Sequence, residues 1–136
     1  MELEQQLASV PLLAGLEPRV RRRLAEVGKR RTYSANEEIV REGSTGTALY
    51  ILLSGEARVE QDGREIGRLS AGDFFGELAL IEEHPRSATV VAAADTDCLL
   101  FPAWEFTALL EEHPEVAVPI MRVLIRRLHR SEHHTA

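Results

Sequence analysis

A single cysteine, Cys98, is present, so no disulfide can close within the chain and nothing calls for an oxidising compartment. It lies in the apolar run Cys98-Leu99-Leu100-Phe101, surroundings that suit a buried, inert thiol rather than a nucleophile. Long apolar stretches are missing, and the N-terminus, M-E-L-E-Q-Q-L, is acidic. Those features exclude a secretory signal and a membrane span and lead to the expectation of a cytoplasmic protein. Catalytic signatures are also missing, since neither G-x-S-x-G nor a paired-carboxylate pattern occurs, and no enzyme activity is expected. The five histidines form no metal set. His133 and His134 are adjacent near the terminus, and His84, His113 and His129 have no cysteine or carboxylate at a ligand spacing. The predicted strands carry no histidine, and no metal or cofactor is expected. A net charge of -6 argues against nucleic acid as a partner. The basic cluster Arg19, Arg22, Arg23, Lys29, Arg30 and Arg31 lacks interleaved aromatics, so it reads as a solvated face.

The 136 residues, 44 % hydrophobic and 28 % charged, are enough for one soluble globular domain over 1–136 and too few for two cores. Residues 1–31 form a helical segment in this reading. Leu3, Leu7 and Val10 recur at helical spacing up to Pro11, and a second helix runs from Pro18 to Gly28 with Val20, Leu24 and Val27 on its buried face. From Thr32 the period changes to that of strands, which occupy 32–101. Ile39-Val40 and Ala48–Leu53 are two of them. A hairpin follows, with Asp62-Gly63 at its turn and Val59 facing Ile66. The glycines at 43, 46, 55 and 72 read as turn geometry alone. Thr89–Ala94 and Cys98–Phe101 are two later strands, with Asp95-Thr96-Asp97 as the turn between them. Helices fill 102–134. Trp104, Phe106, Leu109 and Leu110 suit a short helix with Trp104 as a core or hinge residue, ended by His113-Pro114. A last helix, Glu115–His134, presents Ala117, Met121, Leu124, Ile125 and Leu128 on one side. Pro119 either delays its start to about residue 118 or kinks its first turn.

The most informative stretch is Phe74–Val90, F-F-G-E-L-A-L-I-E-E-H-P-R-S-A-T-V. Gly76-Glu77-Leu78-Ala79-Leu80 reads as a turn into a short helix whose free N–H groups attract an anion. Pro85 restrains the backbone ahead of Arg86, so the guanidinium is aimed, and a fixed guanidinium is a fork for phosphate. Arg86, the Ser87 hydroxyl and nearby N–H groups, including those of Ala88, Leu78 and Ala79, suit the exocyclic oxygens of a phosphodiester. Glu77 would repel a bare phosphate, which points to a ligand that also turns a hydroxyl donor towards it.

The strings F-G-E-L-A-L and P-R-S-A-T-V resemble the phosphate-binding cassette of cyclic-nucleotide-binding domains, the modules of cyclic-AMP-dependent kinase regulatory subunits, nucleotide-gated channels and bacterial catabolite activators. The resemblance implies a mainly β fold with flanking helices: a jelly-roll-like β-barrel (double-stranded β-helix) with N-terminal helices, a short cassette helix and C-terminal lid helices. P-L-L-A-G-L is similar to the leader that packs on the sheet of such domains, and Glu42-Gly43 through Glu56 fit their E-G-x-x-G and L-x-S-G-E loops. By the same resemblance Glu77, with Gly76, takes the ribose 2′-hydroxyl, and Arg86 takes the cyclic phosphate. Val59 and Leu69 wall the base pocket. The lid helix brings Arg127, or else Arg126, to the base. The implied ligand is cyclic AMP, although a hydroxyl residue beside the arginine also supports cyclic GMP. The implied function is a regulatory sensor that transmits binding to a protein effector through movement of its C-terminal helix. No helix-turn-helix follows that helix, so direct DNA binding is not expected. The helix has enough apolar surface either for a homodimer or to fold back on the barrel. Two rival readings are a non-binding domain that serves as an interaction platform and a cupin-like enzyme.

Overall fold

A computed structural model describes residues 3–46, 48–76 and 84–135. Among the described residues α1 (Leu3–Leu7) and α2 (Pro18–Val27) come first, and ten short strands follow. These are β1 (Lys29–Tyr33), β2 (Glu38–Val40), β3 (Thr45–Gly46), β4 (Ala48–Ser54), β5 (Glu56–Gln61), β6 (Arg64–Ser70), β7 (Phe74–Phe75), β8 (His84–Pro85), β9 (Thr89–Ala92) and β10 (Thr96–Pro102). Helix α3 (Ala103–Glu112), a 3-10 turn (Pro114–Val116) and α4 (Ala117–Thr135) close the chain. Among the described residues, no helix is long and apolar enough to cross a membrane.

The fold is mainly β with flanking helices, but the strands described do not close into the expected barrel. They form two antiparallel four-stranded sheets, ordered β1-β10-β4-β7 and β2-β9-β5-β6, and a two-stranded ribbon, β3-β8. Side chains, not a continuous hydrogen-bonded ladder, join the two sheets. Alternation along the strands assigns each residue its layer. Leu49 and Ile51 of β4, Leu99 and Phe101 of β10 and Phe74 of β7 pack with Leu7, Val20, Leu24, Phe106 and Ile120 from the helices and with Leu13 from the turns between α1 and α2. Tyr50 and Leu52, Cys98 and Leu100, and Phe75 point the other way, into a second core with Ala57, Val90 and Ala92 of the facing sheet. Burial on both faces explains why 48–53 and 98–101 read as unbroken apolar runs.

Several expectations are corrected. Residues 29–31 are strand rather than part of the helical segment. Gly28 ends α2 so close to Leu99 and Phe101 that a Cβ there would collide with both, and Lys29 already pairs with Leu100. The hairpin turn does fall at Asp62-Gly63, with φ of 53° and 77°, and Gln61 pairs with Arg64 as that turn requires. A bulge between Val59 and Glu60 then shifts the register, so Val59 faces Gly67 instead of Ile66, and Ile66 is left 57 % exposed. Strand β9 stops at Ala92, and Thr96 and Asp97 belong to β10 rather than to a turn. Thr96 is buried, with Oγ1 accepting the Glu56 N–H (3.2 Å) and lying 3.0 Å from Glu56 O and 2.8 Å from Ala94 O. A strand does carry a histidine, His84 in β8.

The helices differ in their faces rather than in their positions. Trp104 is not core: it is 70 % exposed, while Phe106 and Leu109 make the inward contacts of α3. In α4 the inward face is Ile120, Val123 and Leu124, continued by Val116 of the preceding 3-10 turn. Met121 and Ile125, expected on that face, are exposed together with Val118. The α-helix starts at Ala117, after a 3-10 turn, close to the delayed start expected near residue 118, and Pro119 falls in its first turn, where the missing N–H is not needed.

Candidate functional site

Arg86 is the centre of the site, and the backbone on both sides of it is held. Its N–H donates to Ser44 O (2.8 Å) and its C=O accepts from Gly43 N–H (2.8 Å), while the ribbon pairs Thr45 with Pro85 and Gly46 with His84. The glycine-rich loop thus grips the arginine's main chain from a segment far earlier in the sequence. Gly43 has φ +83°, the left-handed conformation that a tight turn here requires.

The side chain is fixed as firmly. Nη2 donates to Ala48 O at 3.0 Å, and Cζ stands 5.7 Å from the centroid of the Tyr50 ring. Tyr50 is stacked on Phe75 at 4.7 Å with 7° between the planes. A Cβ on Gly46 would strike the guanidinium at Nε, Nη2 and Cζ, and one on Gly76 would meet Nη1 and Ala48 O. Two glycines therefore make the slot that the guanidinium occupies. Arg86 Nε is buried with no hydrogen-bond partner among the described residues, and no carboxylate pairs with Arg86 among them. A buried donor in that state costs about 1–3 kcal/mol, which an anionic acceptor would recover.

Of the other expected site residues, Gly76 lies against Arg86 with φ +85°. Ser87 is exposed, and its carbonyl accepts from Gln61 Nε2 at 3.0 Å; Ala88 is half-buried. Val59 and Leu69, both partly buried, pack against the core that contains Tyr50 and Phe75, so they share the layer of the guanidinium. Arg126 is exposed on α4 and is not brought to Arg86 by any described contact. Glu77, Leu78 and Ala79, with the expected helix after Gly76, lie outside the described residues, and so does the side chain of Arg127.

Sequence reasoning missed Gly46, Ala48, Tyr50 and Phe75, the walls and acceptor around the arginine. Gly46 was legible in part. It is the second glycine of E-G-x-x-G, and unlike Gly43 it does not take a positive φ, so the space it leaves for Arg86 is its purpose here. Cys98, in the same layer, is an inert packing group whose thiol is pushed up to about 12, chiefly by burial and then by the Asp97 carboxylate.

Two facing antiparallel sheets, helices on one outer face and a guanidinium fixed between glycines define a small module suited to an anionic ligand. The chain belongs to the cyclic nucleotide-binding domain family, whose model matches residues 30–113. Over 98 residues it is 41 % identical to the cAMP-dependent protein kinase regulatory subunit of Mycosarcoma maydis, covering 69 % of this chain and 19 % of that protein. The catabolite activator protein of Thermus thermophilus is similar at a TM-score of 0.82 and 33 % identity, over 92 % of this chain and 61 % of that one. The regulatory domain of Toxoplasma gondii PKA, solved with cAMP, is similar at 0.78 and 28 %, over 94 % and 49 %. The chain spans about a fifth of the length of the curated relatives it matches.

Proposed function

We propose that this chain is a cyclic-nucleotide sensor module with cyclic AMP as its ligand. The observation that carries the reading is the Arg86 guanidinium, seated in a glycine slot over an aromatic pair with its Nε buried and unpartnered. In this reading Arg86 holds the cyclic phosphate, assisted by Ser87 and by N–H groups at Ala88, Leu78 and Ala79. Glu77 and Gly76 receive the ribose 2′-hydroxyl, and Val59 and Leu69 line the base side of the inter-sheet core. Arg127, or Arg126, stacks on the base from α4. In the same reading ligand binding biases α4 between two positions and a protein effector reads the difference. The exposed stripe Val118, Met121 and Ile125 is the surface that such a movement would cover, or that a second copy would bury. No catalytic step, metal or DNA contact is assigned to the chain.

Isothermal titration with cyclic AMP and, in parallel, cyclic GMP tests the reading, with Arg86→Lys and Arg86→Ala as controls. Tighter binding of cyclic AMP, weakened in both variants, is the expected result. Folded protein, free of carried-over nucleotide, that gives no heat with either ligand would overturn the sensor reading and leave an interaction platform.

A further inference from the structure

Away from Arg86, α2 and α3 enclose a cleft of about 330 Å³ whose walls include Trp104, Glu105, Leu109, Glu112, Arg23 and Glu26. Glu105, Ala108, Leu109 and Glu112 recur at i, i+3, i+4 and i+7, so they share one face of α3. Trp104, beside them, leaves most of its indole in water although the chain has no other tryptophan. Single exposed apolar residues are ordinary, but an indole at the lip of a charged cleft offers a π-face next to countercharge. Arg23 is committed to Glu26 at 3.7 Å, which leaves Glu105 and Glu112 as the surplus charge. Glu105 Oε2 is covered from solvent and has no hydrogen-bond partner among the described residues.

We infer that this cleft receives an arginine side chain from a partner polypeptide, stacked on Trp104 and paired with Glu105 and Glu112. Charge complementarity excludes a phosphate ligand at this place, since the surplus groups are carboxylates. A guanidinium fits better than an ammonium, because its plane stacks on indole while its fork reaches two acceptors. Neither Glu105, Glu112 nor Trp104 belongs to the Arg86 site, so the inference stands or falls separately from the nucleotide reading.

The sole tryptophan makes the test direct. The full chain is titrated with an acetylated, amidated hexa-arginine peptide while Trp104 emission is followed, and with a hexa-lysine peptide of the same charge. Saturable quenching is expected, weaker affinity for hexa-lysine, and affinity about tenfold lower in the double variant Glu105→Gln, Glu112→Gln. Trp104→Phe, assayed calorimetrically, is expected to bind more weakly at an unchanged melting temperature. No emission change, or one equally strong in the carboxylate variant, would overturn the assignment. An emission shift that depends on protein concentration without peptide, with a dimer in sedimentation, would overturn it too, because a second copy would then fill the cleft.

Discussion

Gly46→Ala separates the site from the fold. The added methyl would enter the space of the Arg86 guanidinium, yet Gly46 has no positive φ, so the backbone accepts alanine without strain. The obstacle is the far end of a flexible side chain, which can swing away. Folding then loses the Nη2–Ala48 O bond and the contact with Tyr50, together about 1.5–2 kcal/mol. The stiffer unfolded chain returns about 0.4–1 kcal/mol, and the Nε that was buried without a partner regains water, returning about 1–3 kcal/mol more, so stability and melting temperature should change little. Binding should suffer far more. Two charge-assisted bonds to phosphate at roughly 1.5–3 kcal/mol each come to about 3–6 kcal/mol, or about 10²- to 10⁴-fold in affinity. Gly76→Ala provides the contrast, because its φ is +85° and the methyl would lie 2.5 Å from Ala48 O, a main-chain atom that cannot swing aside. That variant should lose stability as well as affinity. Calorimetric titration with cyclic AMP beside thermal melts measures both quantities, and Gly46→Ala protein with wild-type affinity would refute the idea that Arg86 must sit in this slot to hold the ligand.

Thr96→Val keeps the shape of a buried side chain but strands the Glu56 N–H, so urea unfolding should show a loss of about 1–3 kcal/mol. The Thr32 hydroxyl first, and Arg30 second, hold the Asp97 carboxyl below its usual 3.8. Its stabilising effect is therefore fully present above that value and is lost as pH falls through the lower folded-state pKa. Acid titrations of Asp97→Asn should show less stability near neutrality and a flatter slope below about pH 4. Cys98, buried and with its thiol pushed up to about 12, should resist iodoacetamide at pH 8 in the folded protein and react once urea unfolds it; rapid labelling of the native chain would contradict its burial.

Local chemistry made much of this legible. Pro18 opens a helix by backbone restriction, Asp62-Gly63 specifies its own turn, and the cassette string sets the arginine behind a proline whatever surrounds it. What was hidden depends on partners distant in sequence. The bulge between Val59 and Glu60 leaves Ile66 as the extra residue on β6, and the hairpin turn alone does not announce it. Thr96 looks like a turn residue until Glu56 supplies its hydrogen bonds. In α4, Met121 and Ile120 are equally apolar neighbours, and only the position of the sheet selects Ile120 for burial. Gly46 falls in the same class, since the loop motif announces a glycine but not the guanidinium it makes room for.

The hold on Arg86 has a consequence for the order of folding. Its main chain is bonded to Gly43 and Ser44, and its side chain reaches Ala48, 38 residues away. Closure of so long a loop comes after local hairpins and helices have formed, because its entropy must be offset by contacts already made. The guanidinium slot is thus completed late, and a chain whose β3-β8 ribbon has not yet formed has no slot at all. A ligand that requires it recognises finished molecules alone, adding stability to them by mass action and none to intermediates.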